Sequence, residues 1–307
     1  MRQFWLLIVL LSAWHSAHAE VALPMTQVAD GVYVHVGVTA LPDTHNHGAI
    51  ANIGFIVGQR CVAVVDTGGN PQQGRALKQA IVQTTDKPIC YVINTHVHPD
   101  HIYGNRAFKE GKVQFVGHHK LARAMANRAD YYLAKAEQQL GISVSAADII
   151  PPDIQVNDTL KLDLGGRVLT LTAHPTAHTD NDLSVYDAQT NTAWLADLVF
   201  VTHLPVIDGS IKGWLHELLS LEKNHYTTVI PGHGAVDKAW PKSMQPEKIY
   251  LQSLLAKVRE ALKQGQFLEA AVASIKAELP EQWALISEFH RKNVTTVFAE
   301  LEWEETH

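Results

Sequence analysis

Residues 95–101 read THVHPDH, directly after the apolar run ICYVIN (89–94). Three imidazoles, His96, His98 and His101, and one carboxylate, Asp100, fall within seven residues. His96 and His98 are two apart, and on extended backbone such a pair points to one side. Pro99 keeps His98 out of helical geometry, so the chain must turn through Asp100 and His101. The apolar run predicts a buried strand, and the carboxyl end of a strand is where α/β sheets place their sites. A hydrogen-bonded loop has no reason to collect three imidazoles, so the stretch predicts a metal site. Four donors on so short a loop cannot all reach one ion with good geometry, so further donors must arrive from other strand ends. Candidates are His174 and His178 in AHPTAHTDND (173–182), Asp197 in WLADLVF (194–200) and His233 in VIPGHG (229–234).

The surroundings predict a mixed α/β unit. GVYVHVG (31–37) and NIGFIVG (52–58) read as antiparallel strands. CVAVVDTGG (61–69) is a near-continuous apolar run that predicts a buried strand ending at a glycine turn. PQQGRALKQAIVQT (71–84) has helical spacing and leads to the strand that carries the histidines, which predicts a parallel pair with a right-handed crossover. A strand over 113–118, a helix over 120–141 closed by Gly141, a hairpin across Gly165-Gly166 and strands within 181–200 follow. A helix over 213–223 and a strand over 227–234 complete the pattern, and from Glu247 onward the spacing is helical. The expected organisation is a catalytic domain over 20–245 with a helical extension over 246–307 packed on it.

The chain has 307 residues, 46% of them apolar and 18% charged, with a formal charge of −6 and 18 histidines. That charge excludes a basic nucleic-acid footprint. Arg2, the apolar FWLLIVLLSAW and the Ala17–Ala19 triplet AHA fit a secretory signal cleaved near Ala19. The mature protein is therefore expected to be secreted, or periplasmic in a Gram-negative source. No later run is long enough for a membrane span. Two cysteines are too few for a disulfide scaffold. Cys61 and Cys90 fall on neighbouring parallel strands, where bridges are geometrically awkward, so two buried free thiols are expected. No G-x-S-x-G elbow is present, and HELLS (216–220) lacks the second histidine of a zincin helix.

THVHPDH, AHTDNDLSVYD, LADLVF and PGHG, with VVDTGG ahead of them, resemble in order and spacing the motifs of the metallo-β-lactamase-fold superfamily, over about residues 28–236. The resemblance implies a four-layer αββα sandwich, here with a helical C-terminal extension. It implies two zinc ions, with manganese or iron as alternatives. One takes His96, His98 and His178, the other Asp100, His101 and His233, and Asp197 bridges them together with a water or hydroxide. His178 is preferred to His174 because HTDND follows it. The implied reaction is hydrolysis by that hydroxide, with Asp100 as a ligand that also orients it. Asp66 is expected to orient the histidines or, equally, to cap the turn at its strand end. The aspartate at 197 and the histidine at 233 resemble the glyoxalase II and lactonase branch, which implies a small ester, lactone or thioester substrate.

LVFVTHLPVIDGSIKGWLHEL (198–218), with IANIGFIVG and RKNVTTVFAELEWEE, resembles the SoxH-like quinoprotein relay system zinc metallohydrolases (type 2). This implies association with a quinoprotein (PQQ) dehydrogenase. LPDTHNHGAIAN (41–52) could form a flap that brings His45 and His47 to the substrate, or a solvated hairpin. His203 and Lys212 could meet an anionic substrate or lie at the surface. Two other readings stand beside the ester hydrolase: a true β-lactamase, and a non-catalytic metal-binding partner of a dehydrogenase.

Overall fold

The computed structural model describes residues 20–279 and 283–304. The signal-sequence expectation, on residues 1–19, lies outside them. Seven strands form one mixed sheet in chain order: β1 (Thr26–Ala29), β2 (Val32–His35), β3 (Ile53–Val57), β4 (Val62–Val65), β5 (Ile89–Ile93), β6 (Gln114–His118) and β7 (Ile154–Val156). The first four are antiparallel, and β4 to β7 run parallel. A second sheet has the order β12-β11-β10-β9-β8, with β8 (Thr159–Asp163), β9 (Val168–Ala173), β10 (Leu183–Asp187), β11 (Thr192–Phe200) and β12 (Thr228–His233).

Burial follows the apolar patterns. The inner faces of the two sheets meet through Val32, Val34, Val65, Ile93 and Val116 on one side and Leu169, Leu171, Val185, Trp194 and Ile230 on the other. The outer face of the first sheet buries Phe55, Val62, Val64 and Val92 against Leu77 and Ile81 of α1 (Pro71–Thr84). Asn70 caps that helix, its side chain accepting from the Gln73 amide at 2.7 Å, and Pro71 occupies the first turn, where no amide donor is needed. The outer face of the second sheet packs on α4 (Ile211–Leu221), α5 (Gln245–Lys263) and α7 (Ile286–Leu301). The order of layers is helix, sheet, sheet, helix, as expected. A short helix α2 (Pro99–Ile102), α3 (Leu121–Lys135) and a following π-turn over Ala136–Leu140 pack as a smaller cluster above the sheet edges; α6 (Leu268–Ser274) joins α5 and α7.

The expectation of free thiols is corrected: Cys61 and Cys90 form a disulfide with a Cα–Cα distance of 5.8 Å. The reason is a register slip. Val62 pairs with Ile89 but Ala63 pairs with Tyr91, so Cys90 is an extra residue in β5. That bulge brings Cys90 beside Cys61, which lies just before β4, a geometry that regular parallel pairing does not offer. Among the described residues no helix is long and apolar enough to cross a membrane.

Candidate metal centre

Four strand ends converge between the two sheets. The loop after β5 brings His96, His98, Asp100 and His101, the turn before β10 brings His178, β11 carries Asp197 and β12 ends at His233. Asp197 needs special backbone. Regular alternation would carry it to the outer face with Leu195. Ala196, just before it, sits at φ +48°, and the β11–β12 register slips on both sides of Ala196. A bulge of this kind re-aims a side chain. Gly232 completes the arrangement: a Cβ there would lie 1.8 Å from Asp197 Oδ1.

Two donor groups result, one of His96, His98, His178 and Asp197, the other of Asp100, His101 and His233. In the first, His98 Nδ1 lies 3.1 Å from His96 Nε2 and 3.0 Å from His178 Nε2. Asp197 Oδ2 lies 3.6 Å from His96 Nε2 and 3.3 Å from His178 Nε2. In the second, Asp100 Oδ2 lies 3.6 Å from His101 Nε2 and 3.3 Å from His233 Nε2. Asp197 Oδ1 lies 3.2 Å from His101 Nε2, so one carboxylate presents its oxygens to both groups. The donor-to-donor edge of a tetrahedral zinc site with bonds near 2.0–2.1 Å is roughly 3.3–3.4 Å, which these separations straddle.

The outward nitrogens explain why the inward ones converge. His96 Nδ1 lies 3.1 Å from Thr95 Oγ1, and His98 Nε2 lies 3.0 Å from Asp208 Oδ2. His178 Nδ1 faces the Val206 carbonyl at 2.7 Å, His101 Nδ1 faces Asp66 Oδ2 at 2.8 Å, and His233 Nδ1 faces the Ile50 carbonyl at 3.2 Å. Each ring can thus donate outward, which fixes the tautomer that turns a lone pair inward. The inward His101 Nε2 and Asp197 Oδ1 are buried with no hydrogen-bond partner. Buried polar atoms left unpaired are costly, and a cation between them satisfies both. The residues therefore fit a pair of metal ions.

Electrostatics agree. Burial pushes His96 well below the usual imidazole range, and His178 down to about 3, so both rings are neutral donors. Burial acts to lower His233 as well, but the Asp197 and Asp100 carboxylates outweigh it and hold it at about 9. Burial acts to raise Asp100, and the His101 and His233 charges hold it at about 2. A positive charge is favoured where the second group converges.

Asp66 does more than cap its turn. Its Oδ1 accepts from the Thr95 amide at 2.8 Å, and its Oδ2 from the Thr95 hydroxyl at 2.7 Å as well as from His101. His174 is held elsewhere, with Nε2 2.7 Å from Ser184 Oγ and Nδ1 2.8 Å from Glu217 Oε2, leaving no ring nitrogen for the centre. His203 is buried and stacks on His233, ring centroids 5.1 Å apart. His45, His47 and Lys212 are not brought into the cluster. His45 is exposed beside Asp43, His47 Nδ1 faces the Leu140 carbonyl at 2.8 Å, and Lys212 pairs with Glu304 at 3.1 Å.

Two residues were not singled out in the sequence. Asp208 holds His98, and Arg128 of α3 grips the same carboxylate oxygen. The only signal was an acid in the turn IDGS ahead of α4, inside a segment read for other reasons. A third lies behind Asp197. Glu247 is fully buried on the first turn of α5; its Oε2 accepts from the Phe200 amide at 3.3 Å and its Oε1 has no partner. Burial pushes its carboxyl well above the usual range.

Residues 44–233 match the metallo-beta-lactamase superfamily. The chain belongs to that superfamily and is a hydrolase-fold member with an intact His/Asp cluster. No curated protein matches the sequence. Among solved structures it is similar to a metallo-beta-lactamase from Pontibacter korlensis, with 19% identity, a TM-score of 0.61, and 75% of this chain and 99% of that one covered. It is also similar to a metallo-beta-lactamase from Hirschia baltica, with 19% identity, a TM-score of 0.58, and 75% and 97% covered. The stereoselective inverting sec-alkylsulfatase Pisa1 from Pseudomonas sp. has 17% identity and a TM-score of 0.66 over 92% of this chain, which spans 50% of the sulfatase. At these identities the likeness concerns the fold.

Proposed function

We propose that the chain is an exported dinuclear zinc hydrolase of small ester, lactone or thioester substrates, in the SoxH-like group and accessory to a quinoprotein dehydrogenase. The observation that carries the hydrolase reading is the ring of outward acceptors that turns five imidazole nitrogens toward Asp100 and Asp197. His96, His98 and His178 would hold one ion, and Asp100, His101 and His233 the other, with Asp197 between them. Nitrogen and oxygen donors without thiolate suit zinc, with manganese or iron as alternatives. When bound, such ions supply a water that ionises near neutral pH and a Lewis acid for the carbonyl.

The chain's own residues do the rest. Asp100 orients the attacking water through its carboxylate. Asp66, Asp208 and Thr95 keep the histidine rings in place. Phe200, His203 and Trp214 close the floor behind His178 and His233 and keep bulk water out. Asp197 faces both groups, which supports the glyoxalase and lactonase likeness over a β-lactamase. The Cys61–Cys90 bridge supports an oxidising, extracytoplasmic setting, and a secreted product beginning at Glu20 is the expected result of N-terminal mass spectrometry.

The test is a panel of an activated ester, a lactone, a thioester, nitrocefin and a secondary alkyl sulfate. Zinc-loaded protein is expected to turn over one or more of the first three, with loss on chelation and recovery on adding zinc. Fast nitrocefin hydrolysis, or cleavage of the sulfate alone, overturns the substrate class. No turnover at all favours a metal-binding partner of a dehydrogenase. A gene for a PQQ-dependent dehydrogenase beside this one is the expected neighbour under the quinoprotein reading.

A further inference from the structure

A small cavity of about 100 Å³ opens beside Asp100, between the 41–50 loop and the π-turn that ends α3. Its walls include Pro42, Ile50, Pro99, Tyr103, Ala136 and Leu140. The loop is tied at several points. Asp43 Oδ1 accepts from the amides of His45 and Asn46, and Asn46 ties Leu41 to Gly48. His47 reaches across to the Leu140 carbonyl, and Asn70 holds the His47 carbonyl at 3.0 Å. Gly48 and Gly69 touch so closely that a Cβ on Gly69 would lie 1.8 Å from the Gly48 carbonyl oxygen. These contacts hold the loop against the π-turn and against Gly69.

Two of the polar groups around the cavity are already engaged. The Tyr103 hydroxyl donates to the Tyr132 carbonyl at 2.9 Å, so the tyrosine offers its ring. The His47 ring nitrogen is taken by Leu140. Lys135 lies on the rim, but its ammonium is 5.8 Å from the centre of the Tyr131 ring. Asp100, at the inner end, belongs to the donor group of His101 and His233, and Gln139 and Lys135 are the other polar side chains of the lining.

We propose that this cavity holds a short alkyl arm of the substrate and sets its length. The proposal rests on the ester, lactone or thioester reading above. A chain seated in the cavity has its polar end beside Asp100 and the second donor group. An arm longer than the cavity must bend out into solvent.

The experiment is calorimetric titration of the zinc-loaded full chain with straight-chain carboxylates from acetate to octanoate, read as affinity against chain length. Affinity is expected to rise roughly fourfold per methylene up to the chain length that fills the cavity and then level off. Ala136→Leu, which fills the cavity, should move the break to a shorter chain than in the parent protein. Leu140→Ala, which enlarges it, should carry the rise two or three carbons further. The two variants have opposite expected signs, and thermal melts confirm that each is folded. A level series in the parent protein, or the same break point in both variants, overturns the proposal. If the break point moves as expected but no ester, lactone or thioester is cleaved, the hydrolase reading fails and the alkyl subsite stands. If esters are cleaved while the break point stays fixed, the subsite fails and the hydrolase reading stands.

Discussion

The Nε2 of His98 lies 3.0 Å from Oδ2 of Asp208, a residue 110 positions later in the chain. Arg128 holds the same oxygen from α3 and also reaches the Tyr132 hydroxyl at 3.3 Å. His98 is thus fixed from outside by a half-buried carboxylate that is itself fixed by a guanidinium.

Replacing Asp208 by Ala should therefore weaken metal binding at the His96, His98 and His178 group by roughly 10- to 100-fold, the usual cost of losing the partner that orients a ligating histidine. Competition with a chromophoric chelator reads this directly. Unchanged affinity in Asp208→Ala removes the residue from any role in the centre.

Asp66→Ala takes a wholly buried carboxylate away from two Thr95 donors and from His101. Removing one member of a buried polar pair costs about 3–5 kcal/mol. Urea unfolding of the zinc-loaded protein should show a loss of that order. A loss below about 1 kcal/mol would mean that the three donors find water instead.

Metal removal should lower stability without unfolding the chain. A ligand present at 1,000 times its Kd adds about 4 kcal/mol, so a clear fall in Tm on chelation and its recovery with zinc are expected. An identical Tm before and after verified metal removal contradicts a metal centre formed by these residues.

The disulfide closes a loop between positions 29 residues apart. On the chain-entropy argument, Cys61→Ser with Cys90→Ser should cost about 3–4 kcal/mol. The loss is measured by urea unfolding, and a reductant should reproduce most of it. If the parent protein is insensitive to reductant and contains two titratable thiols, the bridge is absent in solution.

Glu247 carries a pH dependence with a definite sign. Its folded pKa lies above its unfolded value, so the neutral acid favours the fold below the unfolded value near 4.5. That contribution is lost as pH rises toward the folded pKa, at about 1.4 kcal/mol for each pH unit between the two. Glu247→Gln keeps the shape and removes the loss. The variant should match the parent in urea unfolding at pH 4.5 and exceed it at pH 8. Equal stabilities at both values rule out the neutral buried acid.

The strands and the residues that meet at the centre were largely legible, because apolar runs report burial and the imidazoles stand at strand ends. The helix over 71–84 was legible from its spacing and appears as α1 over the same residues. What escaped the sequence was whatever depended on register. The Cys61–Cys90 contact follows from one extra residue in β5, which no composition or spacing announces. Asp208 reaches His98 only because the turn before α4 folds back over the loop after β5. The loop 41–52 carries two conspicuous histidines, yet His47 serves its wall and not the centre, since φ +49° turns it toward Leu140.

The five outward acceptors have one more consequence. Thr95, Asp208, Val206, Asp66 and Ile50 aim the rings using contacts within the polypeptide itself. The direction of each inward nitrogen is therefore set by the fold and not by an ion.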